Sequence, residues 1–233
     1  MKQNGGQLKK QTSFNNMKFI FWTNIYDQGI GYMEANTSFQ DLSKLHETYF
    51  MATGEKCIDV AKNLYNSKII ECDNDKAIKG KVLFDTLKSR NDYDVLIRLD
   101  LDAVVLDLEG LLKRIEDNIQ DHSVLGNVRR IKGKSPQKRK FRGLQYVRGP
   151  CTATTSSVID KIDMDISMKL GFDIPYATSF KKTGAKIISC NLYETKRSYR
   201  GNLPAWHWHK KGKHKVIALK KVIDLYEKGA KDE

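Results

Sequence analysis

Apolar positions along this chain fall into short continuous runs, separated by segments with helical spacing. Lys18 to Thr23, KFIFWT, predicts a first strand that ends at the polar pair Thr23-Asn24. Asp27 to Gly31 reads as a glycine-containing loop, and a mixed segment follows to about Phe50. Cys57 to Leu64 reads as helical and Lys68 to Cys72 as a short strand. Asp75 to Arg90 predicts an amphipathic helix with Ile78, Val82, Leu83 and Leu87 on one side. Tyr93 to Leu106, YDVLIRLDLDAVVL, carries the apolar run Val95, Leu96, Ile97 and Leu99 expected of a central strand covered on both faces. Leu108, Leu111, Leu112, Ile115 and Ile119 then repeat at helical spacing. Beyond them lie strand signals at Ser123 to Val128, Leu144 to Val147 and Lys186 to Cys190. Helical signals cover Ser156 to Leu170, Ile174 to Lys182 and Val216 to Leu225, and Cys151 to Val158 fits either state. Strands alternating with helices predict an α/β fold with a mainly parallel sheet.

The strand at Val95 to Leu99 runs straight into two acids, Asp100 and Asp102. Buried carboxylates are costly unless something cationic neutralises them. In an extended chain, residues i and i+2 project to one side, so both acids can face a single ion. Hard oxygen ligands suit Mg²⁺ or Mn²⁺, which keep some waters and bind substrate phosphates. Ligands in open α/β sheets bind beyond the carboxyl ends of the strands, where this pair falls.

This D-x-D strand resembles the metal-binding motif of nucleotide-sugar glycosyltransferases of the GT-A fold. The resemblance spans roughly residues 18 to 214, with Arg148-Gly149-Pro150 as a glycine-containing loop, an acidic helix start at Asp173 and a histidine cluster in AWHWHKKGKH. It implies a mainly parallel sheet flanked by helices, with a Rossmann-like nucleotide-binding half. It also implies a metal-dependent transfer of sugar from a nucleotide-sugar donor, a UDP-sugar first among candidates, to a hydroxyl of a glycan or glycoprotein. By that resemblance Asp102 ligates the metal, and Asp100 touches the metal, its water or the ribose. His207 or His209, with His214 further on, completes the metal shell or touches the diphosphate. Thr23 and Asn24 hold the nucleoside, Arg148 pairs with phosphate, and Gly149 lets the donor sugar approach the backbone or simply forms a turn. Asp173 is the expected base of an inverting transfer, or simply the cap of its helix. Trp206 and Trp208 suit stacking on a sugar or base as well as simple packing. Two histidines at i and i+2 also suit a separate zinc site, but no cysteine lies close in sequence.

Composition narrows the reading. The 233 residues are 40% hydrophobic, enough for one substantial core without disulfides. Cys57, Cys72, Cys151 and Cys190 lack the paired spacing of a zinc or redox site and read as free thiols in a reducing compartment. No apolar run approaches the ~20 residues of a membrane span, and the first residues lack the apolar stretch of a secretory signal. Residues 1–16 are expected to be a flexible leader, and 17–233 a single GT-A-like domain with a basic C-terminal helix, acting in the cytoplasm. The formal charge of +13 is concentrated at Arg129 to Arg142, RRIKGKSPQKRKFR, with eight basic residues and no acid, and again at Lys210, Lys211, Lys213 and Lys215. Steering of a nucleotide diphosphate or a solvated mobile loop explains the first cluster. No recognised nucleic-acid motif accompanies it, which ranks nucleic acid last. Two rival classes stay open: a nucleotidyltransferase of related fold, and a noncatalytic basic module for nucleic acid or anionic glycan. The first rival expects a basic phosphate loop after the first strand, and TNIYDQGIGYM has no Lys or Arg there.

Overall fold

The computed structural model describes residues 17–72, 76–165, 167, 173–195, 200–207 and 213–229, and the structural account below is confined to these. The leader 1–16, Trp208, His209, Lys210 and Lys211 lie outside them, as do the side chains of Arg148, Asp173 and His214.

Ten strands form two sheets. The strands are β1 (Phe19–Tyr26), β2 (Thr48–Thr53), β3 (Lys68–Glu71), β4 (Val95–Leu99), β5 (Val104–Val105), β6 (Ser123–Arg130), β7 (Gln145–Thr155), β8 (Lys186–Ser189), β9 (Tyr193–Glu194) and β10 (Ala205–Trp206). The helices are α1 (Ile30–Ala35), α2 (Thr37–Leu45), α3 (Glu55–Leu64), α4 (Lys76–Leu87), α5 (Leu108–Glu116), α6 (Pro136–Arg139), α7 (Ser156–Lys161), α8 (Asp173–Thr183) and α9 (Lys213–Gly229). The large sheet has the order β3-β2-β1-β4-β7-β6-β8. All neighbours are parallel except that β7 runs antiparallel to β4 and β6.

Strand alternation explains the layers. Phe19, Phe21 and Ile25 of β1, with Val95, Ile97 and Leu99 of β4, point into one core with Phe39 of α2, Ala61 of α3 and Leu111 and Ile115 of α5. Ile20, Trp22 and Leu96 point the other way, against Leu83 and Phe84 of α4, Val158 and Ile159 of α7, and Tyr176 and Phe180 of α8. Helices therefore cover both faces, as the apolar runs predict. A third cluster joins Val104 and Trp206 of the small sheet β5-β10-β9 to Ala218, Leu219, Val222 and Ile223 of α9.

Several boundaries differ from the sequence reading. β1 continues through Thr23-Asn24 to Tyr26, because its parallel pairing with β2 runs as far as Tyr26↔Thr53. A single 3₁₀ turn, Asp27–Gly29, replaces the loop expected there and leads directly into α1. β2 was hidden in the mixed segment, although Thr48 to Met51 is buried between two parallel neighbours. α4 buries Ala77, Leu83, Phe84 and Leu87, while Ile78 and Val82 are half-buried. Arg148-Gly149-Pro150 belongs to β7 and is no loop, since the ladder to β4 and β6 runs on either side of it. α7 ends at Lys161, where Ile162 turns extended, well short of Leu170. The basic segment is a built hairpin arm with the short helix α6 inside it. Ile131 N–H donates to Leu144 O at 2.9 Å, and Gly143 N–H donates back to Ile131 O at 2.9 Å.

Candidate metal and donor site

Asp100 follows β4 directly, and its N–H donates to Pro150 O at 2.7 Å, the last rung of the ladder to β7. The chain then turns: Ala103 N–H donates to Asp100 O at 2.8 Å. The two acids are therefore held by a tight turn, where the sequence reading had them project from an extended strand. The turn is clamped from α2's start. Asn36 Nδ2 donates to Leu101 O at 3.0 Å and to Ala103 O at 2.7 Å. Ser38 Oγ donates to Asn36 Oδ1 at 2.8 Å and accepts from Val105 N–H at 3.1 Å. Asn36 is fully buried. Asn36→Ala strands two buried carbonyls, so we expect it to lower stability by at least about 2 kcal/mol, from ~1–3 kcal/mol for each unsatisfied group, in chemical denaturation.

The small sheet brings a residue from far along the chain to this turn. β10 pairs antiparallel with β5, Ala205 opposite Val105 and Trp206 opposite Val104, so His207 comes next to the D-x-D turn. Its N–H donates to Glu194 O at 2.8 Å, and its Nε2 lies 3.2 Å from Asp102 Oδ1. Among the described residues, Asp100, Asp102 and His207 each offer one ligand atom, all within 4.8 Å of one another. The buried Trp206 beside them packs on α9 and is not available to stack on a sugar.

A cation sits behind the acids. Arg98 lies on the same face of β4 as Leu96, is 7% exposed, and pairs through Nη2 with Asp100 Oδ1 at 3.0 Å. Its guanidinium lies over the Trp22 ring, 5.6 Å from the centroid. Gly149 makes room for it, since a Cβ there would meet Arg98 Cζ at 3.1 Å.

The remaining groups surround the carboxyl ends of β1 and β4. Successive residues of a strand face opposite ways, so Thr23 lies on the Phe21 face and Asn24 on the Trp22 face. The buried Thr23 Oγ1 and Asn24 Oδ1 have no hydrogen-bond partner among the described residues. Lys79 of α4 is 2% exposed and donates from Nζ to Ile25 O at 3.3 Å. Burial pushes the Tyr26 phenol above its ordinary pKa, and the neighbouring Asp102, Tyr32 and Asp100 add to this. Tyr32 is raised in the same way, by burial first and then by Asp102. Burial, reinforced by Asp100, likewise pushes the Cys151 thiol above its ordinary pKa. Sequence reading missed Arg98, Lys79, Tyr26, Tyr32 and Asn36. Arg98 alone carried a signal, as a charged residue inside a buried run two positions before an acid.

Asp173 is the first residue of α8. Arg148 lies in β7 opposite Asn127, and His214 lies in the first turn of α9.

No protein-family profile matches the chain, and no curated protein matches it. Solved structures do. The galactosyltransferase LgtC, in complex with donor and acceptor sugar analogs, superposes with a TM-score of 0.57 at 11% identity, covering 90% of this chain and 95% of that one. The mannosyltransferase PcManGT of Pyrobaculum calidifontis, in complex with GDP-Man and Mn²⁺, gives 0.55 at 10% identity, covering 93% of this chain and 64% of that one. A 4-diphosphocytidyl-2C-methyl-D-erythritol synthase gives 0.51 at 12% identity, over 76% and 89%. The chain has the GT-A fold, a mostly parallel sheet flanked by helices, and carries an Asp-x-Asp pair at the end of its central strand. Among the described residues, no helix is long and apolar enough to cross a membrane.

Proposed function

We propose that this chain transfers a sugar from a nucleotide-sugar donor, a UDP-sugar first among candidates, to a hydroxyl acceptor with the help of a divalent metal. The observation that carries the reading is the convergence of Asp100, Asp102 and His207 just beyond the carboxyl end of β4. Two carboxylates fit Mn²⁺ or Mg²⁺, and the imidazole moves the choice toward Mn²⁺. Three protein ligands leave coordination positions for water and phosphate oxygens. When bound, the ion supplies Lewis-acid stabilisation of the departing diphosphate.

The chain's own residues do the rest. Arg98 holds Asp100 in place, and the buried Lys79 ammonium adds positive charge at the end of β1. Thr23 and Asn24 offer unsatisfied oxygens to the nucleoside, and Arg148 and Gly149 lie on the β7 side of the same edge. His209 remains a candidate further ligand from outside the described residues. For an inverting transfer, Asp173, the first residue of α8, is the proposed base. The helix N-terminus favours its ionised form by roughly 0.3–1 kcal/mol.

Asp173→Asn is expected to lower turnover at least ~100-fold, the low end for general acid–base contributions, with donor affinity nearly unchanged. Steady-state kinetics with a separate nucleotide-binding titration checks this. If donor affinity collapses and stability falls by about 1 kcal/mol, as for a lost cap, Asp173 is structural. A product of retained anomeric configuration removes the need for this base. The nucleotidyltransferase reading shares the fold, as the synthase shows. The β1–α1 connection, with no Lys or Arg from Thr23 to Met33, argues against it. Assays with each donor and Mn²⁺ separate the two: UDP released from a UDP-sugar supports sugar transfer, and pyrophosphate released from a nucleoside triphosphate supports the rival.

A further inference from the structure

The hairpin arm between β6 and β7 is the most strongly charged feature of the chain. Its eight basic residues, from Arg129 to Arg142, are all exposed, and no acid lies between them. None of the eight forms an ion pair with a described residue. The acid that does sense the arm is Asp165, whose carboxyl is lowered first by Ser167 and then by the charges of Lys182 and Lys140. Like charges repel, so an arm of this kind is held together by its backbone ladder and Ile131, and its side chains await counter-charge.

The arm's placement gives it a role. β7 runs past its last rung with β4, at Pro150, and continues as one edge of the arm to Gln145 opposite Arg130. Five residues of strand span about 17 Å at ~3.3 Å each, so the base of the arm at Gln145 stands at most that far from Pro150, the neighbour of Asp100. The register shifts between Gly126 and Asn127, where Gly126 has φ +153° and a Cβ would come within 2.5 Å of Val147. A bulge bends its strand, and beyond this one the base of the arm borders α8. Between arm and helix lies a cleft of about 470 Å³ lined by Arg130, Leu144, Gln145, Ala177, Lys181 and Ile187, among others. That is within the ~300–1,000 Å³ of small-molecule sites. Ala177 lies one helical turn from Asp173, and Lys181 one turn further.

We propose that this cleft and arm bind the acceptor, and that the acceptor is an anionic glycan, a saccharide chain carrying carboxylate or phosphate groups. The proposal rests on the sugar-transfer reading of the metal site. Arg130 and Lys181 face an anionic group from two sides, Gln145 offers an amide to hydroxyls, and Leu144, Ala177 and Ile187 meet the apolar face of a sugar ring. The basic residues beyond the cleft hold the rest of the chain. A single-stranded nucleic acid fits less well, because such strands are held by stacking on aromatic rings and the cleft has none among its lining residues.

The test measures binding of fluorescent oligogalacturonate, a phosphorylated oligosaccharide and a neutral oligosaccharide of equal length, with single- and double-stranded DNA of matched charge. Wild type is compared with Arg130→Gln/Lys181→Gln and with Lys138→Gln/Arg139→Gln/Lys140→Gln. The expected result is binding of at least one acidic oligosaccharide, about tenfold weaker in the cleft variant at physiological salt. The arm variant should lose affinity mainly at low salt, where exposed charges are least screened. Which acidic oligosaccharide binds tells carboxylate from phosphate. Equal binding of the neutral oligosaccharide, wild-type affinity in the cleft variant, tighter binding of either DNA, or no glycan binding overturns the proposal. Both variants should keep the Mn²⁺- and nucleotide-dependent rise in melting temperature. Loss of that rise in wild type itself sinks the sugar-transfer reading and leaves the binding result to stand separately.

Discussion

Asp102→Asn is expected to abolish Mn²⁺-dependent nucleotide binding and lower transfer at least ~100-fold while leaving the fold intact. The side chain reaches His207 at 3.2 Å and shares with it and Asp100 the one cluster of three ligands found among the described residues. The amide keeps the shape and an acceptor oxygen for His207, but it removes one of the two negative charges that draw a divalent ion. Folding therefore loses at most about 1 kcal/mol, the net worth of one hydrogen bond. The contrast shows in thermal melting with ligand. A nucleotide–metal complex at ~100 times its Kd stabilises the wild type by about 2.7 kcal/mol through mass action. The variant should show no such gain. A full metal-dependent shift in Asp102→Asn would remove these residues from the donor site.

What the sequence revealed of this site is uneven for physical reasons. β4 and its acids were legible because a strand covered on both faces leaves an unbroken apolar run, and acids at its end stand out. The parallel α/β class followed from alternation along the chain, which needs only local pattern. β2 was not legible: Thr48-Tyr49-Phe50-Met51-Ala52-Thr53 has polar ends and no alternation, and burial between β1 and β3 defines it.

The histidine was legible as a type but not as a position. His207 is selected by the pairing of two-residue strands about 100 residues apart in the chain, and that register leaves no local trace. Trp206 and His207 are neighbours with opposite fates, one in the core beside α9 and one at the acids, because successive strand residues face opposite ways. The clamp from Asn36 was invisible for the same reason, since its partners are carbonyls 65 and 67 positions away. The pairing within the basic segment left no local signal because its composition disfavours regular structure, whereas buried Ile131 and the Leu144 rung tie its two sides together.

Arg98→Met is expected to destabilise the metal-free protein and make its stability depend on divalent cations. Arg98, buried in β4, neutralises Asp100 from behind at 3.0 Å. Met keeps much of the volume and the contact with Trp22 but leaves the carboxylate uncompensated. Breaking a fully buried pair costs ~3–5 kcal/mol, but Asp100's side chain is 33% exposed, so solvent screens part of the loss. A decrease of about 2–3 kcal/mol is the discounted expectation. With Arg98 gone, Asp100 and Asp102 repel across the turn, and a divalent ion relieves that repulsion directly. The variant should therefore bind Mn²⁺ at least about tenfold more tightly than wild type, since a positive charge has been removed from beside the ligands. Saturating Mn²⁺ should then raise its melting temperature more than that of wild type and close most of the gap. Denaturation with a metal chelator and with Mn²⁺, on both proteins, gives the comparison. Equal stability of the two chelated proteins, or a gap that Mn²⁺ does not narrow, would show that Arg98 does not balance the charge of this site.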